Sequence, residues 1–477
     1  MEDMKFKAHG YQSRAVDWVE SHPRCLLFLD MGLGKSVVTL TAVARLMLHG
    51  EVERVLVVAP KKVAESTWST EAGKWDHLGG LRVAVVAGTP KQRRAALERD
   101  ADVWVIGRDS VVWLEEELRR SKQRGFDMIV IDELTSFKNH RSLRFKAMRR
   151  MLPGAQRVVG LTGTPTPNGL GDLWGQVFCI DGGARLGRFV THYRKRWFNC
   201  VEHNNIIIRM TPKAGAEEEI MELISDIALT MRAEDWLQLP AMLEEDVPVA
   251  LPENVAAAYR RFERDRVAEV MAAAGGDPSA VTAASAAALT GKLAQYANGA
   301  VYADDGSVAE IHDEKLQALG EILEADESPL LCFYQYTHDR DRIMERFASL
   351  SPRHYQGAAD LSDWNAGKIR LLLAHPASTA FGLNMQAGGH RIVWFSTGWN
   401  LELYQQANAR LHRQGQERPV TVQRLIAQGT VDVRMAEALS GKGLSQAELL
   451  ARLCSGSSSA SASSSASASS SASASAL

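Results

Sequence analysis

The sequence has no run of eighteen apolar residues and no charged-then-apolar leader at Met1. Neither a membrane span nor a secretory signal is therefore indicated, and a cell interior is the expected place. Its five cysteines, Cys25, Cys179, Cys200, Cys332 and Cys454, include no C-x-x-C pair. That spacing argues against a structural zinc site and a disulfide framework alike, and leaves buried thiols. A net charge of −2 gives no global basic signature, so any contact with nucleic acid must come from a local patch. What remains is an ordinary soluble composition, 45% hydrophobic and 23% charged, over 477 residues, enough for two or three domains with full cores.

The most informative stretch is CLLFLDMGLGKS, residues 25–36. An apolar strand at 25–29 leads into a loop at 30–34, and a helix follows from Lys35 to about His49. Gly32 and Gly34 let backbone N–H groups close around phosphate oxygens at the positive end of that helix. Lys35 would reach the terminal phosphates and Ser36 would hold Mg²⁺. The full G-x-x-x-x-G-K-[ST] pattern is not met, because its first glycine falls on Leu29. Taken alone, GLGKS is equally a turn and a helix start.

Ahead of it, HGYQSRAVDWVE (9–20) has helical spacing, and Gln12 near its start is either an adenine reader or a helix cap. After it, apolar β-branched runs at 54–59, 81–87, 103–106, 126–131 and 157–161 alternate with helix-like segments. This pattern predicts an α/β fold with a parallel sheet covered on both faces, whose ligands bind at the carboxyl ends of the strands. Two further runs end in reactive residues, FDMIVIDELT (126–135) and GLTGTPTPN (160–168). In the first, Asp132 can bind Mg²⁺ through water and Glu133 can orient an attacking water. A carboxylate pair at a strand end is otherwise a helix cap or a solvated turn.

Residues 168–328 break the alternation and read as a mainly helical bridge. A second alternating series then places strands at 329–336, 369–374, 391–396 and 420–426, without a phosphate loop of its own. QQANARLHRQGQ (405–416) offers Arg410 and Arg413 three residues apart, on one helical face, able to reach a single anionic group. A pair of surface arginines is the plainer alternative. If the two lobes face each other, that group is the γ-phosphate. Basic runs at 141–150 (RSLRFKAMRR) and 185–196 (RLGRFVTHYRKR) are candidate nucleic-acid patches or solvated helix faces. The end, 455–477, is a Ser/Ala tail with no core-forming residues, read as disordered and excluded from the fold. The expected division is 1–167, 168–328, 329–454 and the tail 455–477.

With these residues in hand, the chain resembles a superfamily 2 helicase-type motor of two RecA-like lobes, and more narrowly the SWI/SNF remodeller-like ATPases. The resemblance covers 9–442. It is carried by DMGLGKS, APKKVAESTWSTEAGKW (59–75), DELT, GLTGTPTPN and FGLNMQAGGHRIVWFSTGWNLELYQQANARLHRQGQ (381–416). That family's first motif also lacks the leading glycine. The resemblance implies ATP and Mg²⁺ as cofactors, with Gln12 on adenine and Gly32, Gly34, Lys35 and Ser36 on phosphates and metal. It also implies Asp132 on the metal, Glu133 on the water, and Arg410 and Arg413 as arginine fingers. Thr162 and Thr164, with Lys61, Gly382 and Asn384 from the quoted stretches, would couple the nucleotide site to nucleic acid.

Two departures, Thr135 where histidine is common and AHPASTAF (374–381) without the usual glycines, make the chain look more like small phage and bacterial stand-alone members. A cytoplasmic place in a bacterial or phage-infected cell goes with that. The expected activity is an ATP-dependent translocase on double-stranded DNA, hydrolysing ATP at a cleft between two lobes. A strand-separating DNA or RNA helicase and an ATP-switched nucleic-acid clamp are the alternatives.

Overall fold

The computed structural model describes residues 5–121, 124–163, 165–166, 169–203, 206–237, 239–273, 283–303, 305–379 and 383–440. The Ser/Ala tail, Thr164 and Gly382 lie outside the described residues. Two compact units divide at Leu239 and Pro240. Among the described residues no helix is long and apolar enough to cross a membrane.

The first unit begins with helix α1 (Gly10–Ser21) and strand β1 (Arg24–Leu29), followed by α2 (Lys35–Leu48). Strands β2 (Val55–Ala59), β3 (Val83–Val86), β4 (Val103–Gly107), β5 (Met128–Asp132) and β6 (Arg157–Thr162) come next, with α3 (Trp68–Ala72) between β2 and β3. An antiparallel pair, β7 (Phe198–His203) and β8 (Ile206–Pro212), precedes β9 (Ala228–Met231). Seven strands form one sheet in the order β3-β4-β2-β5-β6-β1-β9, every pair parallel. The expected apolar runs are these strands, and β1, β2, β5 and β6 are buried almost throughout, as parallel strands covered on both faces must be.

The second unit holds β10 (Met242–Val249), the small antiparallel pair β11 (Ala300–Tyr302) and β12 (Val308–Glu310), then β13 (Leu330–Phe333), β14 (Arg353–His354), β15 (Leu371–Ala374), β16 (Arg391–Trp394) and β17 (Val420–Ala427). Its six-stranded sheet runs β10-β17-β16-β13-β15-β14, again parallel throughout. Alternate residues of β13 belong to different cores: Leu331 and Phe333 pack with Trp364 and Trp394, while Leu330 and Cys332 pack with Leu319 and Leu323. The period of two thus buries both faces.

The stretch 168–328, expected as a mainly helical bridge, is shared between the units and contributes β7 to β12 as well as helices. Strand β10 shows why the strands there are hard to read. Its sequence MLEEDVPV carries three consecutive acids and a proline, and its side chains are nearly all exposed. These are the marks of an edge strand rather than a buried one. Two of its acids are used: Asp246 lies 2.6 Å from Arg424 across the ladder, and Glu244 accepts from the Tyr404 hydroxyl of the helix Leu401–Asn408 at 3.1 Å.

A buried ion pair, Lys315 to Asp432 at 2.6 Å, ties the helix Glu314–Ala325 to the helix Val431–Leu439. Lys315 also donates to Asn298 Oδ1 at 2.8 Å and to the Phe395 carbonyl, just beyond β16, at 3.1 Å. Replacing Asp432 by Asn leaves that ammonium buried without its counter-charge. The expected cost is about 3 to 5 kcal/mol, read as a lowered urea midpoint of the intact chain.

Candidate nucleotide site and basic surface

Strands β5, β6 and β1 are neighbours in the first sheet, so the residues after each of them share one edge. Register sets Asp132 beside Leu161, and Leu161 beside Leu27. With strands about 4.8 Å apart, the acidic pair and the loop after β1 stand about 10 Å from each other. That is the span of a triphosphate with its metal.

The loop after β1 turns at Gly32 (φ +86°) and Gly34 (φ +78°), a region that disfavours side chains, before α2 starts at Lys35. Lys35 Nζ folds back onto the loop, donating to the Leu29 carbonyl at 2.8 Å and the Asp30 carbonyl at 3.4 Å. Asp30 in turn accepts from the Ala233 backbone N–H at 2.9 Å, which fixes the loop to the segment after β9. Gln12 is buried, with Oε1 accepting from the His9 N–H at 3.0 Å. Its Nε2 lies against Gly34, 2.8 Å from where a Cβ would stand. Gln12 therefore caps α1 and touches the loop after β1 at once. Ser36 follows Lys35, half-buried in the first turn of α2.

Asp132 is buried at the end of β5. Its Oδ2 accepts from the Trp68 indole at 3.0 Å and its Oδ1 from the Glu133 N–H at 3.1 Å. Burial pushes its carboxyl above the usual range, opposed by the Trp68 hydrogen bond, the charge of Lys35 and the Glu133 N–H. Glu133 takes the left-handed conformation (φ 52°), rare for a residue with a side chain and a mark of functional sites. Thr162 is buried at the end of β6, and the next residue, Gly163, packs on the loop after β1: a Cβ there would lie 3.5 Å from Lys35 Nζ. Among the described residues no three His, Cys, Asp or Glu cluster as metal ligands. The buried Asp132 carboxylate at the end of β5 instead suits a cation held chiefly by phosphates and water, as Mg²⁺ is.

In the second unit the helix Leu401–Asn408 ends before the arginines, so Arg410 and Arg413 lie in the turn after it rather than on one helical face. They converge all the same. Arg410 Nη1 and Arg413 Nη1 both donate to the Leu383 carbonyl, at 3.4 Å and 2.9 Å. Asn384, next to that carbonyl, is exposed, and its own carbonyl accepts from Asn365 at 2.8 Å. Lys61, just after β2, is an exposed side chain with Nζ 4.0 Å from Glu65.

Both basic runs are partly neutralised. Arg150 pairs with Glu115 at 2.8 Å and Arg144 with Asp109 at 3.6 Å; Arg185 pairs with Asp226 at 2.5 Å and Arg196 with Glu219. Arg141, Lys146 and Arg194 make no carboxylate pair among the described residues, and the charge of each acts on His140. Its imidazole is held below its usual value first by burial and then by those three charges. The joint action of the two runs on His140, and the Trp68 hydrogen bond to Asp132, are not legible in the sequence. Each depends on residues distant along the chain.

Two parallel-sheet units, one with a glycine-lysine loop at the same sheet edge as a strand-end acid pair, are the architecture expected of two RecA-like lobes. Residues 11–282 match the model of the SNF2-related domain. The p41 protein of Acyrthosiphon pisum secondary endosymbiont phage 1 is 37% identical over 465 residues, covering 93% of this chain and 98% of that one. The DNA repair and recombination protein RDH54 of Saccharomyces cerevisiae (strain JAY291) is 24% identical over 89% of this chain, which spans 52% of its length. A solved structure, the Sulfolobus solfataricus SWI2/SNF2 ATPase core in complex with dsDNA, is 22% identical, covers 93% of both chains and has a TM-score of 0.45. On the family match and the phage relative, the chain belongs to the SNF2-related family of nucleic-acid-dependent, helicase-like ATPases.

The contact between Gln12 and Gly34 yields a test. Gly34→Ala forces a Cβ into the left-handed region and against Gln12 Nε2. The backbone term alone is expected to cost about 1 kcal/mol in thermal unfolding, and nucleotide affinity, measured with a fluorescent ADP, should fall well beyond that.

Proposed function

We propose that the protein is an ATP-driven translocase on double-stranded DNA that advances without obligatory strand separation. The observation that carries the nucleotide half is the adjacency of β5, β6 and β1, which sets Lys35, Asp132 and Glu133 along one sheet edge. In this reading the backbone at Gly32 and Gly34 and the Lys35 ammonium grip the phosphates, while Gln12 reads the base. Ser36 and Asp132 hold Mg²⁺, which when bound neutralises charge on the terminal phosphates. Glu133 orients the attacking water, and Arg410 and Arg413 supply positive charge to the transition state. Thr162 and Thr164 link the nucleotide to the DNA path, to which Lys61, Gly382 and Asn384 contribute.

The DNA half is supported by the cations around His140, a local positive surface on a chain of net charge −2. Such a surface suits backbone phosphates rather than base edges. The similarity to RDH54, a DNA repair and recombination protein, points the same way.

Steady-state ATPase with no nucleic acid, single strands, duplex DNA and RNA at one salt concentration is the direct test. Duplex DNA should stimulate most, and Glu133→Gln should lower the stimulated rate by about 100-fold or more. Stimulation by single strands or RNA alone would favour an unwinding enzyme, and none at all a switch-like clamp. Displacement of a triplex strand without unwinding of a plain duplex is the expected companion result.

A pH dependence comes from His140. Phosphates set among Arg141, Lys146 and Arg194 would relieve their repulsion of the imidazolium, so binding takes up a proton. Burial still holds the imidazole down after that relief, so duplex affinity should rise as pH falls below the ordinary histidine value, and His140→Ala should flatten that slope in a fluorescence-anisotropy titration.

A further inference from the structure

The segment after β2 is built to deliver one side chain. From Val63 to Thr67 the backbone makes a wide π turn, with the Trp68 N–H donating to the Val63 carbonyl five residues back, and α3 then begins at Trp68. Wide turns of this kind recur at functional sites because the inserted residue re-aims the next turn of the helix. Ala64, Trp68 and Ala72, each four residues apart, are all buried. Trp68 is fully enclosed, so its ring has no freedom to turn, and its single polar atom is spent on Asp132 Oδ2 at 3.0 Å.

Asp132 receives two neutral donors, one on each oxygen, and these fix the plane of its carboxylate. Each oxygen retains a lone-pair direction for a metal-bound water. A buried tryptophan satisfies its N–H somewhere, but a backbone carbonyl would serve, as it does for Trp104 and Trp174. Here the partner is the carboxylate at the end of β5.

We propose that Trp68 is a positioning residue for the metal: its indole N–H sets the orientation of Asp132 through which the divalent cation is held. The inference rests on the nucleotide-site reading above. It assigns the 61–72 segment, which begins with the exposed Lys61, a direct mechanical hold on the metal ligand 64 residues away in sequence.

The test is Trp68→Phe in the full chain, which keeps an aromatic ring of most of the volume and removes the donor. Binding of a fluorescent ADP is measured with and without Mg²⁺, beside ATPase as a function of Mg²⁺. Metal-free ADP should bind as to wild type, while the gain given by Mg²⁺ should shrink and the half-saturating Mg²⁺ should rise about 10-fold or more. Combining Trp68→Phe with Asp132→Asn should add nothing to the loss caused by Asp132→Asn alone.

An unaltered Mg²⁺ gain in Trp68→Phe, or additive losses in the double variant, overturns the inference. Equal loss of metal-free and Mg²⁺-supported binding also overturns it, since it marks Trp68 as merely structural. Wild-type protein that binds no nucleotide in either condition instead defeats the underlying site assignment.

Discussion

The first unit depends on how a parallel sheet places its strand ends. Crossovers bring each strand back in the same direction, so every loop that leaves a strand opens at one edge, and residues far apart in sequence can meet only there. Strand β1 lies between β6 and β9, not beside β2. That jump in strand order makes the loop after β1 a neighbour of the acidic pair after β5. Lys35 packs by Gly163, Gln12 by Gly34, and Asp30 ties the loop to Ala233, so the loop is held from several sides before any ligand arrives. Preorganisation of this kind is what electrostatic catalysis requires.

Much of this arrangement is legible in the chain. Buried parallel strands are continuous apolar runs, and β1, β2, β5 and β6 stand out because nothing polar interrupts them. The loop with its glycines and lysine, and the acids at the end of β5, are legible because their chemistry is local. The features that escape a sequence reading are non-local. The pairing of β10 with β17 rests on side chains that suit a loop as well as a strand, since an edge strand has no buried face to betray it. The helix before Arg410 ends at Asn408, yet the two guanidiniums still meet on the Leu383 carbonyl, a convergence produced by tertiary contact rather than helical spacing.

Trp68 shows the same limit from the other side. Its motif is visible, but the partner of its indole lies on another strand, and periodicity carries no information about which acceptor a buried N–H will find. His140 resembles it. Two basic runs, each readable as a solvated face, acquire meaning where Arg141, Lys146 and Arg194 act on one imidazole. In both cases the informative quantity is the environment of a single polar group.

The position of β1 also bears on how the protein is made. The strand that carries the phosphate loop leaves the ribosome early, yet its two neighbours in the sheet end at Thr162 and Met231, the second only eight residues before the unit boundary at Leu239. Its ladder cannot be completed on both sides until nearly the whole unit has been synthesised. Such late, non-local closure is slow and leaves an apolar edge open in the meantime. The strand that leads into the glycine-lysine loop is therefore among the last in its unit to be paired on both sides during synthesis.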